Sequence, residues 1–238
     1  MKYNISVILP VYNEEEGLKK TLVSVIPVLK NTFSDYEIII VESGSTDKTR
    51  EVADKEAKKN KKIKVIHQHK KKGYGNAIKD GFNHCTKEIC IYLDSDNPYD
   101  LNYLKEGVKY IGKYDAVIGY RKGERETMMR VLLSKGAYAI DRFIFWLDLK
   151  DTNCPFKMIK TSFIKKMNLY SNYSFLDAEI LINLKKQRAA IKQIEININK
   201  REEGYSKFSD IKKSVLNHLR DIVSYSTNNI TIIKIRNR

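Results

Sequence analysis

Two aspartates separated by one residue have the spacing to hold a metal ion. Asp94, Ser95 and Asp96 follow the apolar run Ile89–Leu93, which has the length and composition of a buried strand. Carboxylates two positions apart on an extended chain share a face, and the turn after a strand can bring both onto one ion. Their hard oxygen atoms suit Mg²⁺ or Mn²⁺, which can bridge to a diphosphate and act as a Lewis acid. The alternative is that the pair arises by chance and caps the next helix.

A second polar cluster, residues 42–47, follows another apolar run. Gly44 permits a tight turn, and Ser45 or Thr46 can cap the helix that follows. Helix capping by Ser45 or Thr46 does not account for the acidic residue at position 42, Glu42. An acid at this position could accept hydrogen bonds from a ribose or a base.

A third cluster, Lys72–Ala77, has two glycines that flank Tyr74. Glycines at a helix N-terminus permit close approach of the backbone to a ligand, and the helix amides favour an anion. The cluster is neither a P-loop, because no Gly-Lys-Ser/Thr follows, nor a dinucleotide-binding fingerprint. An ordinary turn explains it equally well.

The elements that must position these clusters alternate along the first half of the chain. Predicted strands are Ile5–Leu9, Tyr36–Val41, Ile63–His67, Ile89–Leu93 and Ala116–Gly119. Predicted helices lie near Glu14–Leu29, Lys48–Lys59, Gly75–Cys85 and Leu101–Ile111. Short apolar strands joined by such helices predict an α/β fold, with a mostly parallel sheet and helices on both of its faces. Ligands of such sheets bind beyond the carboxyl ends of the strands, where all three clusters fall.

The pattern loosens after Gly119. A helix is predicted from about Met128 to Trp146, followed by a strand near Phe156–Ile159, a helix near Leu176–Lys186, a strand near Ile191–Ile198 and a polar loop at Glu202–Lys207. Apolar residues at helical spacing, with basic residues between them, then predict an amphipathic helix near Ile211–Val223. We therefore expect one α/β domain over residues 1–208, followed by an amphipathic helix and a basic tail over residues 209–238.

Composition narrows the class of partner. The chain carries 44 Lys and Arg against 29 Asp and Glu, a net charge of +15, which favours a nucleic acid, a phosphorylated substrate or an acidic membrane surface. No nucleic-acid partner is expected, because RRM, KH and zinc-finger signatures are missing and acids stand at the strand ends. Three cysteines without CxxC spacing predict reduced thiols. With no secretory leader and no run of about 20 apolar residues, we expect a soluble or peripheral protein of the cytoplasm.

Four motifs of the first half stand in the order Ile8–Glu15, Val41–Asp47, Gly73–Ala77 and Asp94–Asp96. In this order and at these spacings they resemble family 2 inverting glycosyltransferases of the GT-A fold. Four later segments are Gly119–Arg121, Arg130–Ala137, Asp151–Lys157 and Arg201–Phe208. These resemble the dolichyl-phosphate and polyprenyl-phosphate sugar synthases within that family, such as the dolichol-phosphate mannose synthases. The resemblance spans roughly residues 4–210.

The resemblance implies a role for each matching residue. The donor would be a nucleoside-diphosphate sugar of the GDP-mannose, UDP-glucose or UDP-GlcNAc type, bound by Pro10, Tyr12, Glu14, Glu42, Gly73, Asn76, Asp94, Ser95, Asp96, Arg201 and Lys207. Asp94 and Asp96 would hold the cofactor, Mg²⁺ or Mn²⁺. The acceptor would be dolichyl or polyprenyl phosphate, met by Arg121, Arg130 and Ser134, because forked guanidinium donors suit a phosphate. The alternative for the two arginines is a solvated basic surface.

The predicted catalytic residues are Asp96, Arg121, Arg130 and Asp177. Asp177 and Glu179 lie where family 2 enzymes often carry acids, and an acceptor hydroxyl would need a general base. A lipid phosphate is already ionised near neutral pH and needs none, so positioning and charge neutralisation would then carry catalysis. In that case Asp177 or Glu179 would organise the acceptor arginines or the sugar hydroxyls. A capping or surface role for Asp177 is equally open.

The chain departs from the family pattern at three places. Glu42-Ser43 replaces the usual acidic pair, which leaves the choice of base and ribose open. Glu203 stands where relatives often carry a basic residue, which weakens a phosphate clamp in that loop. Asn97-Pro98 follows the two aspartates and alters that turn.

Access to a lipid acceptor would rest on the predicted helix Ile211–Val223 and the basic tail ending in Lys234–Arg238, on the cytoplasmic face of the membrane. Two alternatives are that the apolar stripe packs on the core of the enzyme, or that a membrane partner subunit provides the anchor. The alternative function is a family 2 transferase acting on a sugar hydroxyl in polysaccharide or glycan biosynthesis.

Overall fold

A computed structural model of the chain describes residues 3–94, 100–122, 145, 149–197 and 211–228. The strands of the described part are β1 (Asn4–Val11), β2 (Asp35–Glu42), β3 (Ile63–His67), β4 (Ile89–Tyr92), β5 (Ala116–Lys122), β6 (Lys157–Lys160) and β7 (Ile191–Asn197). Its helices are α1 (Glu15–Thr32), α2 (Thr49–Lys59), α3 (Tyr74–His84), α4 (Asn102–Val108), α5 (Thr161–Ile164), α6 (Leu176–Lys186) and α7 (Ile211–Asn228).

The strands form one sheet in the order β3-β2-β1-β4-β6-β5-β7. All neighbouring pairs are parallel except the two that involve β6, which runs antiparallel to β4 and to β5. The predicted mostly parallel α/β sheet is therefore confirmed. The antiparallel strand lies in the second half of the chain, where the regular alternation of strands and helices had already broken down.

Both faces of the sheet are covered. Along β1, Ile5, Val7 and Leu9 face a core that also contains residues of α1, α2 and α4. Ile8 points to the other side, into a core built with α3, α6 and α7. The period-two alternation of a strand thus feeds two apolar layers, and this explains why the central strands read as continuous apolar runs.

The observed elements follow the predicted ones closely in the first half and less closely in the second. The fourth helix ends at Val108 rather than near Ile111, and its chain continues in single turns, with the Tyr110 N–H bonded to the Gly107 carbonyl. The short helix α5 was not predicted. The predicted helix Met128–Trp146 lies outside the described residues except for Phe145, which is helical and buried.

The apolar residues of the C-terminal helix α7 fall into two groups, one buried in the core and one exposed. Ile222 and Tyr225 are buried in the core shared with α3 and α6. In contrast, four other apolar side chains of α7 remain 42–61% exposed. We call them the outer stripe, and they are Val215, Leu216, Leu219 and Val223. Packing on the enzyme's own core therefore accounts for only part of the predicted amphipathic pattern. Within the described ranges, no helix combines the length and the apolar character needed to cross a bilayer.

Candidate active site

The carboxyl end of β4 places Asp94 beside the first residue of α3. The Leu93 N–H still bonds to the Ile8 carbonyl of β1, so the chain leaves the sheet directly at Asp94. The Tyr74 hydroxyl donates a hydrogen bond of 3.0 Å to Asp94 Oδ1. Asp94 is half-buried. The predicted neighbours Ser95 and Asp96 lie outside the described residues.

The donor set at this edge suits a hard divalent cation. Asp94 presents carboxylate oxygen atoms at the strand end, where water and a phosphate could complete the octahedron that Mg²⁺ requires. The second predicted ligand, Asp96, falls outside the described ranges. Among the residues inside those ranges, no group of three or more His, Cys, Asp or Glu side chains could hold a metal. The pairing of Asp94 with Asp96 on one cation stays a prediction.

The loops after β1 and β2 are joined to each other. Asn13 has a positive φ of 52°, which lets its side-chain oxygen accept the Thr46 N–H at 2.9 Å while its own N–H donates to Ser45 Oγ at 3.1 Å. The Glu14 N–H donates to Thr49 Oγ1 at 2.7 Å. Tyr12 is half-buried, and the centre of its ring lies 3.8 Å from the Lys71 ammonium nitrogen. The predicted nucleoside residues Pro10, Tyr12 and Glu14 thus occupy the edge where β1 and β2 end.

Glu42, the fourth predicted nucleoside residue, is fully buried and bonded to the protein itself. Its Oε1 accepts the Ser45 N–H at 2.5 Å, and its Oε2 lies 3.2 Å from His67 Nδ1. The other ring nitrogen of His67 lies 2.9 Å from Asp54 Oδ1. Glu42 therefore shapes the loop after β2, and its carboxylate is buried rather than presented to a ribose. The sequence did not single out His67, although a histidine at the end of β3 is positioned to reach this edge.

The glycines of the turn before α3 make room for the chain itself. Gly73 has a φ of 101°, and a Cβ placed there would lie 2.6 Å from the Asn172 carbonyl oxygen. A Cβ at Gly75 would lie 2.7 Å from the Asn172 carbonyl carbon, and the Gly75 N–H donates to the Asn172 oxygen at 2.9 Å. In the structure the segment around Asn172 makes this close approach, and the contact of Gly73 with a ligand stays a prediction. The Asn76 side chain donates to the Lys72 carbonyl at 2.7 Å, within the same turn.

Asp177 lies at the start of α6 and joins two buried groups that the sequence had not singled out as site residues. Lys157 is completely buried, and its ammonium donates to Asp177 Oδ1 at 2.5 Å and to the Cys154 carbonyl at 2.5 Å. The Tyr92 hydroxyl donates to the same oxygen. Burial, together with the charges of Asp177 and Asp94, raises the pKa of Tyr92 well above its ordinary value, so this hydroxyl keeps its proton. Lysines stand at both ends of β6, and only the structure shows that Lys157 is the fully buried one, whose ammonium needs a partner.

Arg121 leaves the end of β5 as one half of a bidentate ion pair. Its Nε and Nη2 donate to the two oxygens of Asp151 at 2.6 and 2.8 Å, and its backbone N–H donates to Oδ2 at 3.3 Å. Burial works to lower the pKa of Arg121, but the bonds to Asp151 outweigh it and raise that pKa, so the guanidinium stays charged. Two of its five side-chain N–H groups are used in this way. The ion pair keeps the arginine at the sheet edge near Asp177.

Glu179, the second acid of α6, has a structural task. It is buried, and its two oxygens accept the N–H groups of Tyr170 and Ser171 at 2.7 and 2.9 Å. Burial raises the pKa of this carboxyl, and the hydrogen bonds oppose that rise. Of the two acids considered for a catalytic role, Asp177 is the one that accepts a hydrogen bond from the end of β4, through Tyr92.

The structure brings together Tyr12, Glu14, Asp94, Arg121 and Asp177 along the edge formed by the carboxyl ends of the strands. Several predicted site residues lie outside the described ranges: Ser95, Asp96, Arg130, Ser134, Arg201 and Lys207. Their roles remain predictions.

Solved structures of known enzymes share this fold. Crystal structures of glucosyl-3-phosphoglycerate synthase from Mycobacterium tuberculosis superpose with a TM-score of 0.68 for a complex with Mn²⁺, UDP and glucosyl-3-phosphoglycerate, and 0.70 for one with Mg²⁺ and UDP. Each is 18% identical and covers 94% of this chain and 79% of that chain. At this level of identity the likeness shows the fold, which is that of GT-A glycosyltransferases.

Sequence relatives point in the same direction. The dolichyl-phosphate β-glucosyltransferase ALG5D of Trichomonas vaginalis is 28% identical over 96% of this chain and 76% of that protein. An undecaprenyl-phosphate 4-deoxy-4-formamido-L-arabinose transferase of Edwardsiella ictaluri is 27% identical over 94% of this chain and 68% of that protein. The glycosyltransferase AglD of Haloferax volcanii is 27% identical over 89% of this chain, which spans only 35% of AglD. The family model for glycosyl transferase family 2 matches residues 6–167, well over half of the 238 residues, and the chain therefore belongs to glycosyl transferase family 2.

Proposed function

We propose that this glycosyltransferase moves a sugar, with inversion, from a nucleoside-diphosphate sugar to a dolichyl or other polyprenyl phosphate. The donor would be of the GDP-mannose, UDP-glucose or UDP-GlcNAc type. The observation that carries the proposal is that a carboxylate for the donor and an anchored cation for the acceptor stand at the same sheet edge, namely Asp94 and Arg121. Two of the relatives are named as transferases that use dolichyl or undecaprenyl phosphate, and this supports the choice of acceptor.

Donor binding would use the loops after β1, β2 and β4. Tyr12 offers an aromatic ring on which a base could stack, and the Lys71 ammonium lies 3.8 Å from the centre of that ring. Asp94 and Asp96 would hold Mg²⁺ or Mn²⁺. When bound, the ion neutralises negative charge on the departing nucleoside diphosphate. The Tyr74 hydroxyl would orient the Asp94 carboxylate toward that position.

Acceptor binding would use Arg121, with Arg130 and Ser134. The ion pair with Asp151 fixes the plane of the Arg121 guanidinium, so that its remaining N–H groups can meet a phosphate without a further loss of side-chain freedom. A phosphate oxygen is ionised near neutral pH and needs no general base. Asp177, held by Lys157 and Tyr92, would then accept hydrogen bonds from the sugar rather than remove a proton.

The protein would act as a peripheral enzyme on the cytoplasmic face of a membrane. The outer stripe of α7 is apolar and exposed, the neighbouring Arg220 is exposed, and the chain carries fifteen net positive charges. An apolar stripe beside cationic groups is the combination that binds an anionic lipid surface. A membrane partner subunit would be the alternative occupant of this face.

The decisive experiment offers the full chain Mn²⁺, polyprenyl phosphate in vesicles and each of the three donors in turn. We expect one donor to yield a lipid-linked sugar. Asp96→Ala should abolish that product, whereas Asp100→Asn, at an exposed carboxylate just before α4, should leave it unchanged. No lipid-linked sugar with any donor would refute the proposal. Transfer to a sugar hydroxyl instead would establish the alternative function in polysaccharide or glycan biosynthesis, with Asp177 as the candidate base.

A further inference from the structure

An irregular segment of six residues, Tyr170–Phe175, lies between three helices, and we call it the bridge. Four consecutive backbone N–H groups of the bridge are accepted by two buried carboxylates. Glu179 of α6 accepts those of Tyr170 and Ser171. Asp221 of α7 accepts those of Asn172 and Tyr173 at 3.0 and 2.9 Å. The bridge is thus held from two helices at once.

The opposite side of the bridge holds the start of α3. The Asn172 carbonyl accepts the Gly75 N–H at 2.9 Å, and the Asn172 side-chain oxygen accepts the Lys79 ammonium at 3.0 Å. The bridge and the start of α3 are closely packed, since a Cβ at Gly73 or Gly75 would come within 2.7 Å of Asn172 backbone atoms. A shift of the bridge must therefore move the first turn of α3.

The first turn of α3 carries the group that contacts the donor-site carboxylate. Tyr74 lies between the two glycines, and its hydroxyl donates to Asp94 Oδ1. Contacts therefore run from Asp221 through Asn172 and Gly75 to the Tyr74–Asp94 pair. A side chain on the C-terminal helix is in this way connected, through the bridge and the first turn of α3, to the end of β4.

Asp221 is well placed to act on the bridge. It is only 3% exposed, and it lies on the inner face of α7 with Ile222 and Tyr225. The groups that face it are the two bridge N–H groups, His218 from its own helix and the Lys79 ammonium from α3. His218 adds a second link, because its Nδ1 lies 3.2 Å from the Ser174 hydroxyl. The inner face of α7 is therefore directed at the bridge.

We infer that Asp221 is a positioning residue of the donor site: through the bridge, α7 holds Tyr74 where it orients Asp94. The inference rests on the proposed use of a nucleoside-diphosphate donor at Asp94. The C-terminal helix is accordingly part of the machinery that binds the donor, in addition to any role it has at a membrane.

The test compares Asp221→Asn with a matched control, Asp115→Asn. Asp115 also accepts a backbone N–H, that of Ala190, and a lysine, Lys160, but it lies at the opposite edge of the sheet. Amide hydrogen exchange at Gly75 is measured without ligand, and the Kd for UDP and for GDP is measured by calorimetry with Mn²⁺. Asp221→Asn should accelerate exchange at Gly75 and raise the Kd, each by about tenfold, because the bridge loses a buried hydrogen bond. Asp115→Asn should change neither, even where it lowers Tm as much.

Two outcomes overturn the inference. One is unchanged exchange at Gly75 in Asp221→Asn, and the other is accelerated exchange with an unchanged Kd. Should Asp221→Asn fail to fold, Tyr74→Phe breaks the same path at its last step and must raise the Kd while exchange at Gly75 stays as in the wild type. If the wild type binds neither nucleotide, the proposed function fails, and the exchange measurement still decides whether Asp221 holds the first turn of α3.

Discussion

At the scale of single residues, the most informative group is a lysine with no exposed surface. Lys157 neutralises Asp177, and the Asp177 oxygen that accepts its ammonium also accepts the Tyr92 hydroxyl at the end of β4. A buried charge is tolerated only when it is paired and hydrogen-bonded, so each group is needed to keep the other in place. The cluster holds a carboxylate in one orientation at the sheet edge, which a positioning role in sugar transfer requires.

Lys157→Met should lower kcat by about tenfold or more, because Asp177 loses the cation that orients it. Affinity for the nucleoside diphosphate should stay near the wild-type value. Lys160→Met is the matched control, since Lys160 lies on the same strand but pairs with Asp115 at 2.9 Å. Steady-state kinetics with both variants check this, and an unchanged kcat in Lys157→Met would contradict it.

At the scale of elements, the two ends of the sheet have different tasks. The carboxyl ends of β1, β2 and β4 carry the candidate site, whereas their amino ends are held together by Glu37. One Glu37 oxygen accepts the Ser6 hydroxyl at 2.6 Å and the Thr86 N–H at 2.7 Å, and the other accepts the Lys64 ammonium at 2.7 Å. The buried carboxylate thus ties β1, β2, β3 and the loop before β4 into one register. Rigid pairing at that end supports precise placement of the side chains at the other.

The stability of this junction should depend on pH. Burial alone would raise the pKa of Glu37, but the bonds from Lys64, Ser6 and Thr86 lower it from 4.5 to about 2. A carboxyl whose pKa is lower in the folded state stabilises the fold fully above its unfolded value and loses that contribution as the pH falls toward about 2. We expect on the order of 2 kcal/mol at neutral pH from this group. Urea unfolding at pH 7 and pH 3 measures it.

The control for this effect is Glu37→Gln, which should be less stable than the wild type at pH 7 and approach it at pH 3. Other carboxylates whose pKa is lowered by hydrogen bonds, such as Asp47 and Asp115, are present in both proteins, and their contributions cancel in the comparison. A constant difference between the two proteins across this range would show that the Glu37 carboxylate adds no pH dependence.

At the scale of the whole molecule, α7 presents two different surfaces. Its inner face is buried against α3, α6 and the bridge, whereas its outer stripe stays exposed, as does the neighbouring Arg220. Exposed apolar residues on one helix face, in a chain with a net charge of +15, are suited to an anionic lipid surface. A lipid phosphate acceptor would be delivered from that surface.

The double variant Leu219→Ser/Val223→Ser should bind anionic vesicles at least about tenfold more weakly, because two large apolar side chains no longer enter the interface. Its Tm should change little, since both side chains are exposed. Val23→Ser is the control, because Val23 is 76% exposed but lies on α1. Vesicle sedimentation of the three proteins makes the comparison. Equal binding by the double variant and the wild type would exclude the outer stripe as the lipid-binding face.

Local sequence patterns alone were sufficient to predict the part of the fold in which strands and helices alternate regularly. The apolar period and the helix lengths predicted β1 to β4 and the helices between them, because each such signal lies within one short stretch of sequence. The same regularity placed Asp94 and the loops after β1 and β2 at one edge, since carboxyl ends of parallel strands meet there. Recognition of the family followed from those motifs and is confirmed by the match over residues 6–167.

Only the tertiary structure decided what these side chains contact. It showed that Glu42 is bonded within the protein, that Gly73 and Gly75 make room for Asn172, and that Lys157 pairs with Asp177. Gly75 and Asn172 stand almost a hundred positions apart, and β6 enters the sheet antiparallel between β4 and β5, both of which precede it in the chain. Contacts between distant segments leave no periodic trace in the sequence, because they depend on how complete helices and strands pack. The sequence by itself therefore determined which chemistry stands at the strand ends, and the packing of α6, α7 and the bridge determined which residues hold it there.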